Sequence, residues 1–213
     1  MRIKVCGMTR LDQVRALDEM GVEFAGLIFY PKSPRYIKRF HLSAIDLKRE
    51  KLQINRVGVF VNETAEEILK TVEEWRLQMV QLHGDESPKF CEHISDHITT
   101  IKAFRLGANE NVDWKIHPYQ DSVDMFLFDT VGVSYGGNGT QFDWSVLEKA
   151  QIRKPYFLSG GIGPGDAERA REFGERNRDL FSLDVNSRFE TAPGIKDMDL
   201  VRTFAATIKN TNG

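Results

Sequence analysis

Short β-rich apolar runs alternate with amphipathic helical stretches about eight times along the 213 residues, and no linker or low-complexity break interrupts them. Alternation of this kind implies a parallel sheet with right-handed crossovers, because parallel neighbours need a connection long enough to hold a helix. After the first strand the chain reads Cys6-Gly7-Met8-Thr9-Arg10-Leu11, which lacks the G-x-G-x-x-G of an open dinucleotide-binding sheet. The predicted fold class is therefore α/β, a single (β/α)8 barrel domain over residues 1–213. That length lies near the short end of the roughly 200 to 400 residues such barrels occupy.

Each unit has its own signal. Ile3-Lys4-Val5-Cys6 reads as a strand that ends on a thiol, and Leu11–Met20 follows with a helical pattern. Phe24–Phe29 is the second strand. It runs into Tyr30-Pro31-Lys32-Ser33-Pro34-Arg35-Tyr36, where two prolines forbid regular helix. Leu42–Leu52 reads as helix and Arg56–Val61 as strand, with Asn62 and Thr64 offering cap chemistry to Ala65–Trp75. Met79–Leu82 is a fourth strand, ending on His83-Gly84-Asp85-Glu86 before a helix opened by Ser87-Pro88.

Ile98–Phe104 is the fifth strand, and the polar stretch after it to Tyr119 has no clear period. Asp124–Phe128 is the sixth, delivering Asp129. Thr130–Gln141 then forms a loop longer than the usual βα connection, before a helix at Trp144 that Asp143 caps. Tyr156-Phe157-Leu158 runs into Ser159-Gly160-Gly161-Ile162, and Gly163-Pro164 opens a helix through Phe173. Phe181–Val185 is the eighth strand, ending in Asn186-Ser187-Arg188, and a last helix starts near Asp197.

Composition narrows the function. A hydrophobic share of 41% and a charged share of 28% suit a globular chain, and a net charge of -2 leaves no footprint for nucleic acid. The apolar runs are too short for a bilayer, which takes about 20 residues, and polar residues from Thr9 onward interrupt any export signal. Two cysteines, Cys6 and Cys91, make neither a disulfide framework nor a conventional zinc site and fit a reducing cytoplasm. The expected partner is a small phosphorylated sugar, with no nucleic acid and no membrane. The oligomeric state, monomer or homodimer, is left open.

In α/β barrels the chemistry sits at the carboxyl ends of the strands. Cys6 ends the first strand and Asp129 the sixth, while Gly-rich turns follow the seventh strand. Cys6 alone is better read as a small buried hydrophobe. Together with Asp129 and an anion cradle it suits proton transfer on a sugar phosphate. Gly160-Gly161 at a strand-to-helix junction lets backbone N–H groups approach an anion, and barrels commonly bind phosphate with the loops after strands seven and eight. Arg35 is either a solvated loop charge or a planar fork for a carboxylate. His83 falls at a strand's carboxyl end, with Gln81 pointing inward beside it.

Several stretches jointly resemble the phosphoribosylanthranilate isomerase family of tryptophan biosynthesis. They are K-V-C-G-M-T-R at Lys4–Arg10, F-Y-P-K-S-P-R-Y at Phe29–Tyr36, V-G-V-F-V-N at Val57–Asn62 and Q-L-H-G-D-E at Gln81–Glu86. Further on come L-F-D-T at Leu127–Thr130, G-G-N-G-T-Q-F-D-W at Gly136–Trp144, L-S-G-G-I at Leu158–Ile162, L-D-V-N-S at Leu183–Ser187 and P-G-I-K-D at Pro193–Asp197.

The resemblance implies an intramolecular oxidoreductase, an aldose-ketose isomerase that requires no metal and no organic cofactor. It would convert N-(5-phosphoribosyl)anthranilate to 1-(2-carboxyphenylamino)-1-deoxyribulose 5-phosphate by an Amadori rearrangement. Cys6 would be the general base, Asp129 the general acid and Arg35 the ligand of the anthranilate carboxylate. Gln81, His83 and Asp184 would contact substrate. Gly137, Asn138, Gly139, Gly160, Gly161, Asn186 and Ser187 would hold phosphate.

Two positions depart from the family pattern. The family usually shows S-S-G-V-E where Asn186-Ser187-Arg188-Phe189-Glu190 stands, so Arg188 is either a new phosphate ligand or a side chain turned outward. A basic residue is common where Thr140 stands. A different phosphosugar isomerase or epimerase on the same barrel, and a binding module without turnover, are the competing readings.

Overall fold

The computed structural model describes residues 1–107, 110–130 and 143–209. In chain order it holds β1 (Arg2–Val5), α1 (Leu11–Glu19), β2 (Phe24–Ile28), α2 (Ala44–Arg49), β3 (Asn55–Phe60), α3 (Ala65–Trp75), β4 (Met79–Leu82) and α4 (Pro88–Ser95). The second half continues with β5 (Thr100–Leu106), α5 (Val112–Ile116), β6 (Met125–Thr130), α6 (Ser145–Glu148), β7 (Tyr156–Leu158), α7 (Ala167–Arg176), β8 (Leu180–Val185) and α8 (Met198–Lys209). Strands β1 to β8 pair in sequence order, all parallel, and β8 returns to β1 in the register Lys4↔Asp184. The expected closed barrel is present.

Closure divides each strand into two faces. Side chains alternate along a strand, so residues two apart share the inside of the barrel. At its lower level Phe24, Val57, Met79, Ile101, Ala103, Leu127 and Phe157 pack together and fill the interior. The alternate residues point outward and meet the helices. Phe29 stacks on Phe60 and meets the edge of Trp75 from α3, with ring centroids 5.2 Å apart in both pairs. Each such side chain taken from water contributes about 1.5–3 kcal/mol.

Local chemistry starts the helices where the sequence places polar residues. The Thr64 hydroxyl accepts from Glu67 N, and that of Ser87 accepts from Phe90 N with Pro88 in the first turn. Ser43 and Asp46 form a reciprocal capping box at α2. Asp143 accepts from Ser145 N at 3.0 Å, but α6 begins one residue later than expected and Trp144, not Asp143, stands at its N-cap. Asn62 does something else: its side-chain oxygen accepts from Asp85 N at 2.7 Å, tying the loop after β3 to the loop after β4.

Boundaries moved where ladder pairing, not apolar content, decides them. β5 begins two residues later than expected and extends to Leu106, because it pairs with β6 as far as Leu106↔Thr130. That pairing draws Asp129 into β6 as a strand residue. Cys6 lies one residue past β1, its N–H still donating to Val185 O at 2.9 Å. In the unassigned polar stretch Asn111 caps the short helix α5. Beyond β8 an antiparallel hairpin, β9 (Glu190–Ala192) and β10 (Ile195–Lys196), turns through Pro193-Gly194.

Candidate active site

The carboxyl end of the barrel opens into a cavity of about 770 Å³, its mouth included, that collects side chains from seven strands or the loops after them. Cys6 follows β1. Arg35 comes from the loop after β2, Gln81 and His83 from β4 and its end, and Asp129 from β6. Gly160 and Gly161 follow β7, and Asp184, Asn186 and Ser187 come from β8 and its loop; all of them line this one cavity. The inner-face rule accounts for much of the set: Gln81 with His83, and Leu127 with Asp129, are each two residues apart on one strand. Gly137, Asn138 and Gly139, expected at the phosphate, lie outside the described residues, as does Thr140.

Cys6 is 5% exposed and packs against β2 at Gly26, where a Cβ would stand 2.7 Å from the sulfur. Any side chain at Gly26 would displace the thiol. Burial pushes the thiol's pKa above its ordinary value, Lys4 pulls against that rise, Asp184 adds to it and Lys196 opposes it. Lys4 lies within the barrel with no exposure, its ammonium 2.9 Å from Asp184 Oδ1. Burial by itself would lower the Lys4 pKa, but Asp184 and Cys6 lift it above its ordinary value. Burial raises the Asp184 carboxyl, with Lys4 opposing.

Across the cavity His83 Nε2 stands 3.5 Å from Asp129 Oδ2, while Gln81 Nε2 is 2.8 Å from His83 Nδ1. With the amide donating, the ring proton belongs on Nε2 and faces the carboxylate. Gln81 Oε1, buried, has no hydrogen-bond partner among the described residues and is a ready acceptor for a hydroxyl. Beneath His83, Glu86 accepts from Asn62 N and Gly84 N and pairs with the buried Lys102 at 2.6 Å, which fixes the turn that carries the imidazole.

Arg35 is buried rather than solvated, and its fork is already engaged. Nε and Nη2 donate to the Glu190 carboxylate at 2.8 and 2.6 Å. Lys196 Nζ donates to Glu190 at 2.7 Å and to Asn186 Oδ1 at 2.7 Å. Although burial works the other way, Arg35 and Lys196 hold the Glu190 carboxyl below its ordinary range. Burial depresses Lys196, with Glu190 opposing. Arg35 lies over Gly7, whose φ is +76° and whose absent Cβ would stand 2.7 Å from Arg35 Cδ.

The turn after β7 is built on two residues with positive φ, Gly160 at 90° and Gly161 at 72°. That conformation favours glycine, and both residues line the cavity wall together with Asn186 and Ser187. Arg188 is exposed, its aliphatic stem lying along Gly163.

Sequence reasoning missed Lys4, Gly26, Glu190 and Lys196. Lys4 carried a usable signal, since it stands two residues before Cys6 and must share its face. Glu190 and Lys196 bracket a Pro-Gly turn, the mark of a hairpin.

The profile of the family described as N-(5'-phosphoribosyl)anthranilate (PRA) isomerase matches residues 3–207. An N-(5'-phosphoribosyl)anthranilate isomerase of Parabacteroides distasonis is 39% identical over 209 residues, covering 98% of this chain and 93% of its own. The crystal structure of the Thermotoga maritima phosphoribosyl anthranilate isomerase superposes with a TM-score of 0.84 at 36% identity, covering 98% of both chains. A phosphoribosyl anthranilate isomerase solved with reduced 1-(o-carboxyphenylamino)-1-deoxyribulose 5-phosphate superposes at 0.80 with 33% identity, again over 98% of both. Agreement of that extent, in sequence and in the shape of the whole barrel, means that the chain belongs to the N-(5'-phosphoribosyl)anthranilate isomerase family.

Proposed function

We propose that this chain isomerises N-(5-phosphoribosyl)anthranilate to 1-(2-carboxyphenylamino)-1-deoxyribulose 5-phosphate in tryptophan biosynthesis, with Asp129 as general acid and Cys6 as general base. The observation that carries the reading is that the thiol and the carboxylate line one cavity with the turn at Gly160 and Gly161. A pentose phosphate seated by its phosphate at Gly160, Gly161, Asn186 and Ser187 spans the space between Cys6 and Asp129. Arg35, whose Nε and Nη2 hold Glu190, meets the anthranilate carboxylate with its remaining Nη1 where it lines the cavity, and Gln81, His83 and Asp184 contact the sugar.

Asp129 protonates the furanose oxygen as the C1–O bond breaks, and the nitrogen lone pair forms the C1=N iminium. The iminium acidifies the hydrogen on C2, which the Cys6 thiolate removes, leaving an enolamine. Tautomerisation to the ketone leaves the substrate's atoms unchanged in number. The nitrogen acts as the electron sink throughout, so the chemistry asks for no cofactor.

Replacing Cys6 by Ser or Asp129 by Asn should lower turnover by roughly 100-fold or more while phosphate affinity stays largely intact, given the usual size of acid and base contributions. Loss of anthranilate-type fluorescence from synthetic substrate measures turnover. An unchanged rate in either variant would remove that residue from its role.

A further inference from the structure

A buried thiol is a poor base until something stabilises its thiolate, because an unperturbed thiol is only a few per cent ionised near pH 7 and burial reduces that further. Among the described residues Lys4 opposes this most strongly. Lys4 stands two residues before Cys6 on β1, so both side chains enter the barrel on the same face, one pleat apart. Its side chain has no exposure. Placing an ammonium there costs several kcal/mol unless it is paired, and apolar residues fill the interior level below it.

Asp184, its cross-strand neighbour in the β1–β8 register, supplies the pair at 2.9 Å. The ion pair alone does not explain the choice, since apolar side chains of similar volume would serve stability as well. What the ammonium adds is a fixed positive charge one pleat below Cys6 on the same face of the chain, close enough to act on the thiol.

We propose that Lys4 is a positioning residue for the reaction, its ammonium the built-in counter-charge of the Cys6 thiolate, held in place by Asp184. The proposal rests on the reading of Cys6 as the base. Other charged groups face the thiol as well: Lys196 from β10 supports the thiolate, and Asp184 from β8 opposes it. His83, Asp129 and Arg35 line the same cavity from the ends of β4, β6 and β2. Among these, Lys4 acts most strongly in favour of the thiolate, and Cys6 in turn raises the pKa of Lys4.

The test is the pH dependence of Cys6 alkylation by iodoacetamide in the ligand-free protein, read by peptide mass so that Cys6 and Cys91 are separated. In Lys4→Met the midpoint should move up by at least one pH unit, with alkylation near pH 8 slowed about tenfold. In Lys4→Arg it should stay near that of the parent. The limb of the kcat/KM profile that reports the base should move by the same amount. A midpoint in Lys4→Met that matches the parent overturns the proposal.

Should the Met variant fail to fold, the same coupling is read from the other side in the unsubstituted protein. Capping Cys6 with methyl methanethiosulfonate should lower the titration of Lys4, followed by carbon NMR of its labelled Cε, because coupling between two sites is reciprocal. An unmoved Lys4 titration would refute the proposal. Failure of the parent reading looks different, since full turnover in Cys6→Ser would discard the base while leaving the alkylation result as it stands.

Discussion

Glu190→Gln isolates the contact that ties the two sides of the cavity mouth together. The Glu190 carboxylate takes donors from Arg35 Nε at 2.8 Å and Nη2 at 2.6 Å, from Lys196 Nζ at 2.7 Å and from Gly194 N at 3.1 Å. Gln preserves the shape but has one acceptor oxygen, and its NH2 group must face a cation. About two charge-assisted bonds are lost, at roughly 1.5–3 kcal/mol each. Two buried cations also lose their counter-charge. Removing one partner of a buried pair usually costs about 3–5 kcal/mol, and that range covers the whole change. For a chain of this size each kcal/mol moves the melting midpoint by about 2–4 °C, so Tm should fall by roughly 6–20 °C.

The effect carries a pH signature. The Glu190 carboxyl in the folded protein lies below its ordinary 4.5, so its contribution is complete above that value and disappears as pH falls through the lower, folded one. Denaturant unfolding of both proteins should therefore show a constant gap from about pH 8 to pH 5 that narrows on further acidification. A gap under about 1 kcal/mol at neutral pH, or one that does not narrow in acid, would show that Glu190 is not the keystone of the cluster. Activity should follow: with Arg35 and Asn186 no longer held, KM should rise about tenfold and kcat change less.

Arg35→Lys keeps the charge but not the planar fork, so substrate KM should rise about tenfold while inhibition by inorganic phosphate stays the same; equal weakening of both would count against the carboxylate assignment. Lys102→Met strands the buried Glu86 carboxylate beneath His83 and should cost about 3–5 kcal/mol in urea unfolding. Adding Glu86→Gln to that variant should recover part of the loss, and strictly additive effects would contradict the pairing. Gly26→Ala puts a methyl group 2.7 Å from the Cys6 sulfur and 2.9 Å from its Cα. Turnover should drop at least tenfold, with about 1–3 kcal/mol lost to overpacking, and parental kinetics would show that the thiol does not need that space.

Local pattern was enough to reveal much of the fold. Eight apolar runs alternating with helical stretches imply a parallel sheet covered on both faces, and their number, with no dinucleotide fingerprint after the first strand, points to closure into a barrel. The same regularity forecasts where chemistry can sit, because a residue at a strand's carboxyl end faces the mouth or the rim according to its parity. Cys6, Gln81, His83 and Asp129 were legible on that basis, and the Gly160-Gly161 turn by its composition. Edges were less legible. Pairing with a neighbour, which no single strand encodes, set the end of β5 and drew Asp129 into β6.

What the sequence by itself determined, then, is which residues share a face and which end of the barrel they reach, because those follow from a period of two and a repeated connection. Which charges meet was decided only by the closed structure. Lys4 and Asp184 are 180 residues apart and become neighbours because β8 pairs with β1. Arg35 and Glu190, 155 residues apart, meet because the hairpin after β8 folds back over the loop after β2. Coulomb energy depends on distance in space, and only closure of the barrel makes those distances short.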